Sequence, residues 1–251
     1  MELRGKTIWL IGASTGIGAA LAVQLAHAGA RLTLSARDIR GLESVAAQCA
    51  PIMPTLVPLD VTSLSACEAA WQTILSGGEM PDLVLYNAGA YEPMAIQQLD
   101  LAKAQHMLEV NITGALRILS LVMPAFLARN AGHIALVGSV AGYRGLPGAI
   151  GYGASKAALI HLAENLRADL ANTAIGISII NPGFVKTRLT DKNDFHMPAR
   201  ITPEEAARAI MHGLMRGHFE IHFPKRFTRV LKLLRIVPYG LYFRLLRAFK
   251  L

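Results

Sequence analysis

Seven short runs of β-branched and aliphatic residues recur along this chain, each followed by a longer stretch of helical character. That alternation restricts the fold more than any other feature. The runs are 7–11, 31–36, 55–59, 83–86, 133–137, 176–180 and 219–223, and helical stretches lie near 16–28, 39–49, 63–76, 97–109, 111–129, 152–171 and 203–216. Two of the runs, Ile134-Ala-Leu-Val and Ile177-Ser-Ile-Ile, are apolar on both faces, as strands covered on both sides must be. Strands alternating with helices predict a parallel sheet sandwiched between two helical layers. Thr202-Pro203-Glu204-Glu205 reads as a helix start, with an N-cap hydroxyl, proline at the first position and acids in the first turn. Hydrophobic residues make up 53% of the 251 and charged ones 17%, enough apolar surface for one large core and too much for a disordered chain. No repeat, low-complexity tract or linker interrupts the pattern. The expectation is an α/β chain: a single doubly wound domain over 1–223, with a sheet of about seven mainly parallel strands, followed by a tail over 224–251.

Several classes fall away on composition. Cys49 and Cys67 cannot build a disulfide framework, and no C-x-x-C or Cys/His cluster suggests zinc. The opening Met-Glu-Leu-Arg-Gly-Lys carries an acid and runs at once into structured sequence, unlike a secretory signal. The longest uncharged windows contain Pro, Gly or Asn, which argues against a transmembrane helix. These readings predict a cytoplasmic protein. The net charge of +8 suggests nucleic acid at first sight, but the tail holds eight of the 25 bases and none of the 17 acids. The rest of the chain is neutral, so a nucleic-acid partner is not expected.

The first strand ends in Gly12-Ala-Ser-Thr-Gly16-Ile-Gly18, and a helix begins inside that loop. Glycines let a backbone pass close to a pyrophosphate, and a helix N-terminus offers unpaired N–H groups and a favourable dipole. Gly12, Ser14, Thr15, Gly16, Ile17 and Gly18 are therefore cofactor candidates, although a tight strand–helix turn without ligand would use the same glycines. The spacing is G-x-x-x-G-x-G, not the G-x-G-x-x-G of the commoner Rossmann fingerprint. The second run ends in Ser35-Ala36-Arg37. No acid stands at Ser35 or Ala36 to hold the ribose of NAD, and Arg37 offers a planar cation suited to a 2′-phosphate, which favours NADP(H). The plain alternative is a solvated arginine beside Asp38. Further on, Ser139 falls at the carboxyl end of a strand, and Tyr152-Gly-Ala-Ser-Lys156 puts a phenol and an ammonium four apart on one helix face. A phenol titrates near pH ~10 and needs help to exchange protons at neutrality; a nearby cation supplies it.

Together these residues resemble a classical short-chain dehydrogenase/reductase over about residues 5–223. The resemblance rests on Gly12-x-x-x-Gly16-x-Gly18, Asp60-Val61, Asn87-Ala88-Gly89, Asn111, Ser139, Tyr152-x-x-x-Lys156 and Pro182-Gly183-x-x-x-Thr187, in the family's order and spacing. It implies a Rossmann domain and an NADP(H)-dependent oxidoreductase interconverting a carbonyl and a secondary alcohol. Asp60 and Val61 would hold the adenine, Asn87, Ala88 and Gly89 would support the sheet beside the cofactor, and Pro182, Gly183, Val185 and Thr187 would fix the carboxamide. Tyr152 would act as acid or base, Ser139 would hydrogen-bond the substrate oxygen, Lys156 would lower the Tyr152 pKa and bind the ribose, and Asn111 would anchor a relay water. Members of the family are commonly homodimers or homotetramers. Ile11 and Tyr86 depart from the family's usual Thr and Asn, which puts local packing in doubt more than chemistry.

The substrate wall is expected from 90–95, 140–151 and 184–200, where Tyr91, Met94, Tyr143, Leu146, Phe184, Leu189, Phe195 and Met197 make the loops largely apolar. That suits a small hydrophobic ketone or alcohol of lipid, steroid or xenobiotic type. Arg144, Lys186 and Arg188 are either solvated or placed to meet an acidic group. The eight histidines show no metal spacing beyond His218-x-x-x-His222, whose members would stand about 13 Å apart on a strand; no metal is expected. Met94, Met107 and Met123 read as core or pocket lining, and Cys49 and Cys67 as inert buried thiols. The tail predicts two amphipathic helices broken at Pro238-Tyr239-Gly240. The first sets Phe227, Val230, Leu231, Leu234 and Val237 against Arg229, Lys232 and Arg235. The second sets Leu241, Leu245, Leu246 and Phe249 against Arg244, Arg247 and Lys250. Contact with an anionic membrane surface fits this pattern, and so does packing over the site or against a second subunit. Two other function classes stand beside the enzyme, a silent NADP-binding sensor or scaffold and a membrane-associated adaptor acting through the tail. Neither needs a proton donor such as Tyr152.

Overall fold

A computed structural model describes residues 2–195 and 197–248; Phe249 and Lys250, named above, and His196, one of the eight histidines, lie outside the described residues. Seven parallel strands form one sheet in the order β3-β2-β1-β4-β5-β6-β7. They are β1 (Thr7–Ile11), β2 (Arg31–Ser35), β3 (Thr55–Leu56), β4 (Leu83–Tyr86), β5 (Gly132–Val137), β6 (Ile175–Pro182) and β7 (Glu220–Phe223). The helices between them are α1 (Gly16–His27), α2 (Ile39–Ala46), α3 (Leu64–Ser76), α4 (Leu101–Leu108), α5 (Gly114–Arg129), α6 (Ile150–Asp169) and α7 (Pro203–Met215), and the tail adds α8 (Lys225–Ile236) and α9 (Tyr239–Ala248). This is the doubly wound Rossmann arrangement expected from the alternation.

The period of two along each strand divides the core. Trp9, Ile11, Val84, Tyr86, Ile134 and Leu136 face one layer with Trp71, Ile118, Val122 and Leu159. Ile8, Leu10, Leu34, Leu83, Leu85 and Val137 face the other with Leu21, Leu25, Leu42 and Ile210. Trp9 stacks on Trp71 at 5.9 Å, and its indole N–H donates to Ser35 Oγ at 2.9 Å, so a buried polar group is satisfied inside the sheet. Cys49 and Cys67 are buried and free, and burial pushes both thiols up. Two differences from the expected elements bear on the core. The strand expected to run to residue 59 keeps its ladder bonds at Val57 and Leu59, but Pro58 between them carries no N–H, and β3 ends at Leu56. The stretches 97–109 and 111–129 are joined through a π-helical segment, Glu109–Thr113. The resulting run, Leu101–Arg129, is long and apolar enough to cross a membrane by length and composition, against the sequence expectation. Its Val110, Ile118, Val122 and Phe126 lie in the core of the domain.

His133 on β5 shares a hydrogen bond with Ser178 Oγ at 2.9 Å, and burial, with the charges of the N-terminus and Arg167, holds its imidazole down at about 4 against an ordinary 6.5. Between those values the unfolded chain binds a proton that the folded one refuses, so stability rises with pH there. The contribution is complete above about 6.5 and is lost as the pH falls towards about 4, at most about 3 kcal/mol. Denaturation midpoints followed across that range should show the loss, and His133→Asn should flatten it.

Candidate active site

In a doubly wound sheet, ligands bind beyond the carboxyl ends of the strands, where the strand order reverses. Here that point lies between β1 and β4, and a cavity of about 390 Å³ opens there. The loop after β1 forms its floor. Gly12 has φ +86°, and a Cβ there would come within 2.5 Å of the Ala88 backbone nitrogen; only glycine allows this approach. Asn87 Nδ2 donates to the Gly12 carbonyl at 2.7 Å, tying β4 to the loop. α1 starts at Gly16 with no side chain capping its N-terminus at Thr15. Its first-turn N–H groups are thus left for an anion, with the helix dipole behind them. Ser14, Thr15, Gly16 and Ile17 line the cavity, whereas Gly18 stands behind it, where a Cβ would meet the Gly12 carbonyl oxygen at 2.1 Å.

At the far end, Arg37, Asp38, Asp60 and Val61 line the cleft. Burial pushes the Asp60 carboxyl up, but hydrogen bonds from the Thr62 N–H and hydroxyl, with the charges of Arg37 and His106, outweigh it and hold the group below its usual range. Asp38 turns its carboxylate to its own helix, accepting from the Gly41 N–H at 3.0 Å as the N-cap of α2. Asn87, Ala88, Gly89, Pro182, Gly183, Val185 and Thr187 line the remaining walls. Thr190, not anticipated from sequence, builds the last of these turns: its hydroxyl donates to the Val185 carbonyl at 2.6 Å and accepts from the Thr187 N–H at 3.1 Å.

Ser139, Tyr152 and Lys156 share the inner wall. Ser139 is extended at φ −170° and accepts from the Ala141 N–H at 3.1 Å, which leaves its own proton to donate. Burial pushes the Tyr152 phenol up to about 12; a hydrogen bond with Ser139 works against that shift, and the nearby Tyr91 adds to it. The Tyr91 ring meets the Tyr152 ring edge-on at 4.7 Å. Lys156 is buried, its Nζ donates to the Val137 carbonyl at 2.8 Å, and burial lowers it to about 7. Its Nζ stands 5.7 Å from the Tyr152 ring centre. Asn111 does not line the cavity. It sits fully buried on the π-helical segment, its Oδ1 accepting from Ala90 N–H at 2.7 Å and its Nδ2 donating to the Ala90 carbonyl at 3.0 Å and to Ser155 Oγ at 2.8 Å.

The model of the family described as short chain dehydrogenase matches residues 6–197. The chain belongs to that family. An uncharacterized oxidoreductase of Myxococcus xanthus is 34% identical over 243 residues, 96% of each chain. A Burkholderia phymatum short-chain dehydrogenase/reductase solved with NAD superposes with a TM-score of 0.85 at 24% identity, over 93% of this chain and 94% of that one. A Sphingobium yanoikuyae short-chain dehydrogenase solved with NADPH has a TM-score of 0.79 at 26% identity, over 87% and 88%. Members of this oxidoreductase family bind a nicotinamide dinucleotide. The uncapped helix terminus and the bare backbone at Gly12 fit such a group: the loop offers donors to a pyrophosphate and no side chain in its way.

The departures of this short-chain dehydrogenase from its family's pattern have a packing account. Tyr86 is buried, and its hydroxyl donates at 2.5 Å to the carbonyl of Val110 on the π-helical segment. Gly114 makes room, since a Cβ there would lie 2.4 Å from that hydroxyl. Ile11 fills the core beside it. Three expected wall residues belong elsewhere. Tyr143 is buried and donates to Glu220 Oε1 at 2.6 Å. Arg144 is consumed by the tail, donating to the carbonyls of Leu234 and Val237 at 2.5 Å each. Met94 is buried with Ala104 and Met107 in a small cluster that Tyr152 touches. Phe184 packs against the exposed Phe195 at 5.8 Å and against Phe227 of the tail at 5.5 Å, and Arg188 and Leu189 line the cavity. Tyr86→Phe should leave the Val110 carbonyl unpaired and cost about 1–3 kcal/mol, read from a urea denaturation midpoint.

Proposed function

We propose that this chain is an NADP(H)-linked oxidoreductase that interconverts a carbonyl and a secondary alcohol on a small hydrophobic substrate. The observation that carries the reading is the meeting of the Ser139 and Tyr152 hydroxyls on one wall of the cleft that the uncapped α1 terminus faces. When bound, the dinucleotide supplies or accepts hydride. The chain's own residues do the rest. Tyr152, held protonated by burial, gives a proton to the carbonyl oxygen in the reductive direction. Ser139 donates a second hydrogen bond to that oxygen and stabilises the charge that develops on it. Lys156 is fixed by the Val137 carbonyl, and with a pKa of about 7 it takes up a proton readily when an anionic ligand enters. Asn111 acts as a positioning residue, locking the loop after β4 to α6 through Ala90 and Ser155.

Two features support NADP(H) over NAD(H). Arg37 lines the cleft where a 2′-phosphate would lie, and the carboxylate of Asp38, the nearest acid in sequence, is engaged by the Gly41 N–H as a helix cap. Leu189 in the cavity wall and the Tyr91 ring against Tyr152 support a hydrophobic substrate. A panel of hydrophobic ketones, followed by NADPH absorbance with NADH in parallel, should show turnover with NADPH preferred. Tyr152→Phe should bind NADPH normally and lose at least about 10²-fold in turnover; near-normal turnover would overturn the assignment. Arg37→Ala should lower kcat/KM for NADPH by about tenfold or more and leave NADH little changed.

A further inference from the structure

The two tail helices leave exposed what a soluble surface usually hides. On α8, Phe227, Thr228, Leu231 and Leu234 turn towards the body of the protein. The opposite face carries Val230, Leu233 and Ile236, spaced three apart and 58%, 62% and 77% exposed. Across the turn, Tyr239 and Phe243 stack on each other at 6.0 Å and are also largely exposed. Arg226, Arg229, Arg244 and Arg247 stand exposed along the same two helices. None of the four has a carboxylate within ion-pair distance among the described residues. The hairpin is held to the body in a fixed orientation. Arg144 donates to the last carbonyls of α8 and packs over the Tyr242 ring at 4.1 Å, Tyr242 donates to the Gly145 carbonyl at 2.6 Å, and Lys232 pairs with Glu220.

We propose that the outer face of α8 and α9 docks on an anionic lipid bilayer, lying flat in the headgroup region. Charge complementarity selects this occupant. The 28-residue segment from Pro224 holds eight bases and no acid, so a second copy of the same face would bring like charges together. Apolar and basic side chains are mixed along the same helices, which a bilayer surface accommodates at two depths. Arginines reach phosphates while Leu233, Ile236 and Phe243 enter the acyl boundary. The stacked Tyr239 and Phe243 are ring types suited to that boundary. The inference does not depend on the reaction proposed above, only on the face.

The test is co-sedimentation of the full chain with vesicles of phosphatidylcholine alone and of phosphatidylcholine with phosphatidylglycerol. Binding to the anionic vesicles alone, weakened by added salt, is expected. Leu233→Glu with Ile236→Glu, and separately Arg226→Glu with Arg229→Glu, should each weaken partition by about tenfold or more. Circular dichroism serves as the check that each variant folds. Equal partition of wild type and both variants, or no binding of wild type above the protein-only control, overturns the proposal. Loss with the arginine pair but not the apolar pair overturns insertion. Light scattering covers the remaining occupant: if the apolar pair dissociates an oligomer and wild type ignores anionic vesicles, the face joins copies of the chain and the bilayer is excluded.

Discussion

The cleft depends on one contact, the Asn87 amide held against the Gly12 carbonyl at 2.7 Å. It joins the ends of β1 and β4, the two strands between which the winding reverses. Nothing larger than hydrogen fits at Gly12 or Gly18, because a Cβ at either would meet backbone within 2.5 Å. The close approach brings the N-terminus of α1 to the floor of the cavity and sets the neighbouring strand ends around it. Ser139 beyond β5 and Pro182 at the end of β6 then reach the same edge with no further device, since parallel strands all finish on one side.

Burial dominates the electrostatics of the inner wall of the cleft. Burial works on both members of the pair, pushing Tyr152 up to about 12 and Lys156 down to about 7, and each is thereby driven towards its neutral form. Lys156 Nζ donates to the main-chain carbonyl of Val137, and the hydrogen bond with Ser139 works against burial at Tyr152, favouring the ionised phenol.

Much of this was legible in the sequence, for reasons that can be stated. Strands apolar on both faces announce a buried parallel sheet, and all seven were found. The run at 55–59 was the most overextended, since β3 ends at Leu56 although Val57 and Leu59 still bond to the neighbouring strand. The π-helical segment has no periodic signature, so the joint between α4 and α5, and with it the inward turn of Asn111, was invisible. Tyr143 and Arg144 were misplaced because their partners, Glu220 and the α8 carbonyls, lie roughly eighty to ninety residues further along the chain, beyond the reach of any local pattern. In the tail, helical spacing found both helices but put Val230 on one side with Phe227, Leu231 and Leu234, the residues that turn towards the body; Val230 is exposed and has no place on that inner side. Thr228 is there instead, its hydroxyl donating to the Pro224 carbonyl at 3.0 Å and sharing a hydrogen bond with His222. Lys232, grouped by the spacing with Arg229 and Arg235, instead pairs with Glu220 at the sheet edge.

That last pairing bears on where the protein can be cut. Glu220 ends its side chain among Tyr143, Asn181 and Lys232, and burial alone would push its carboxyl up; the three donors bring it below its ordinary value. Of those donors, only Lys232 carries the compensating charge. Severing the chain after β7 would strand a half-buried anion at the edge of the sheet and strip Arg144 of every carbonyl it serves. The amphipathic hairpin is thereby tied to the sheet edge at Glu220 and to the loop after β5 at Arg144 and Gly145, so cutting at the point where the charge changes would break polar contacts that both sides share.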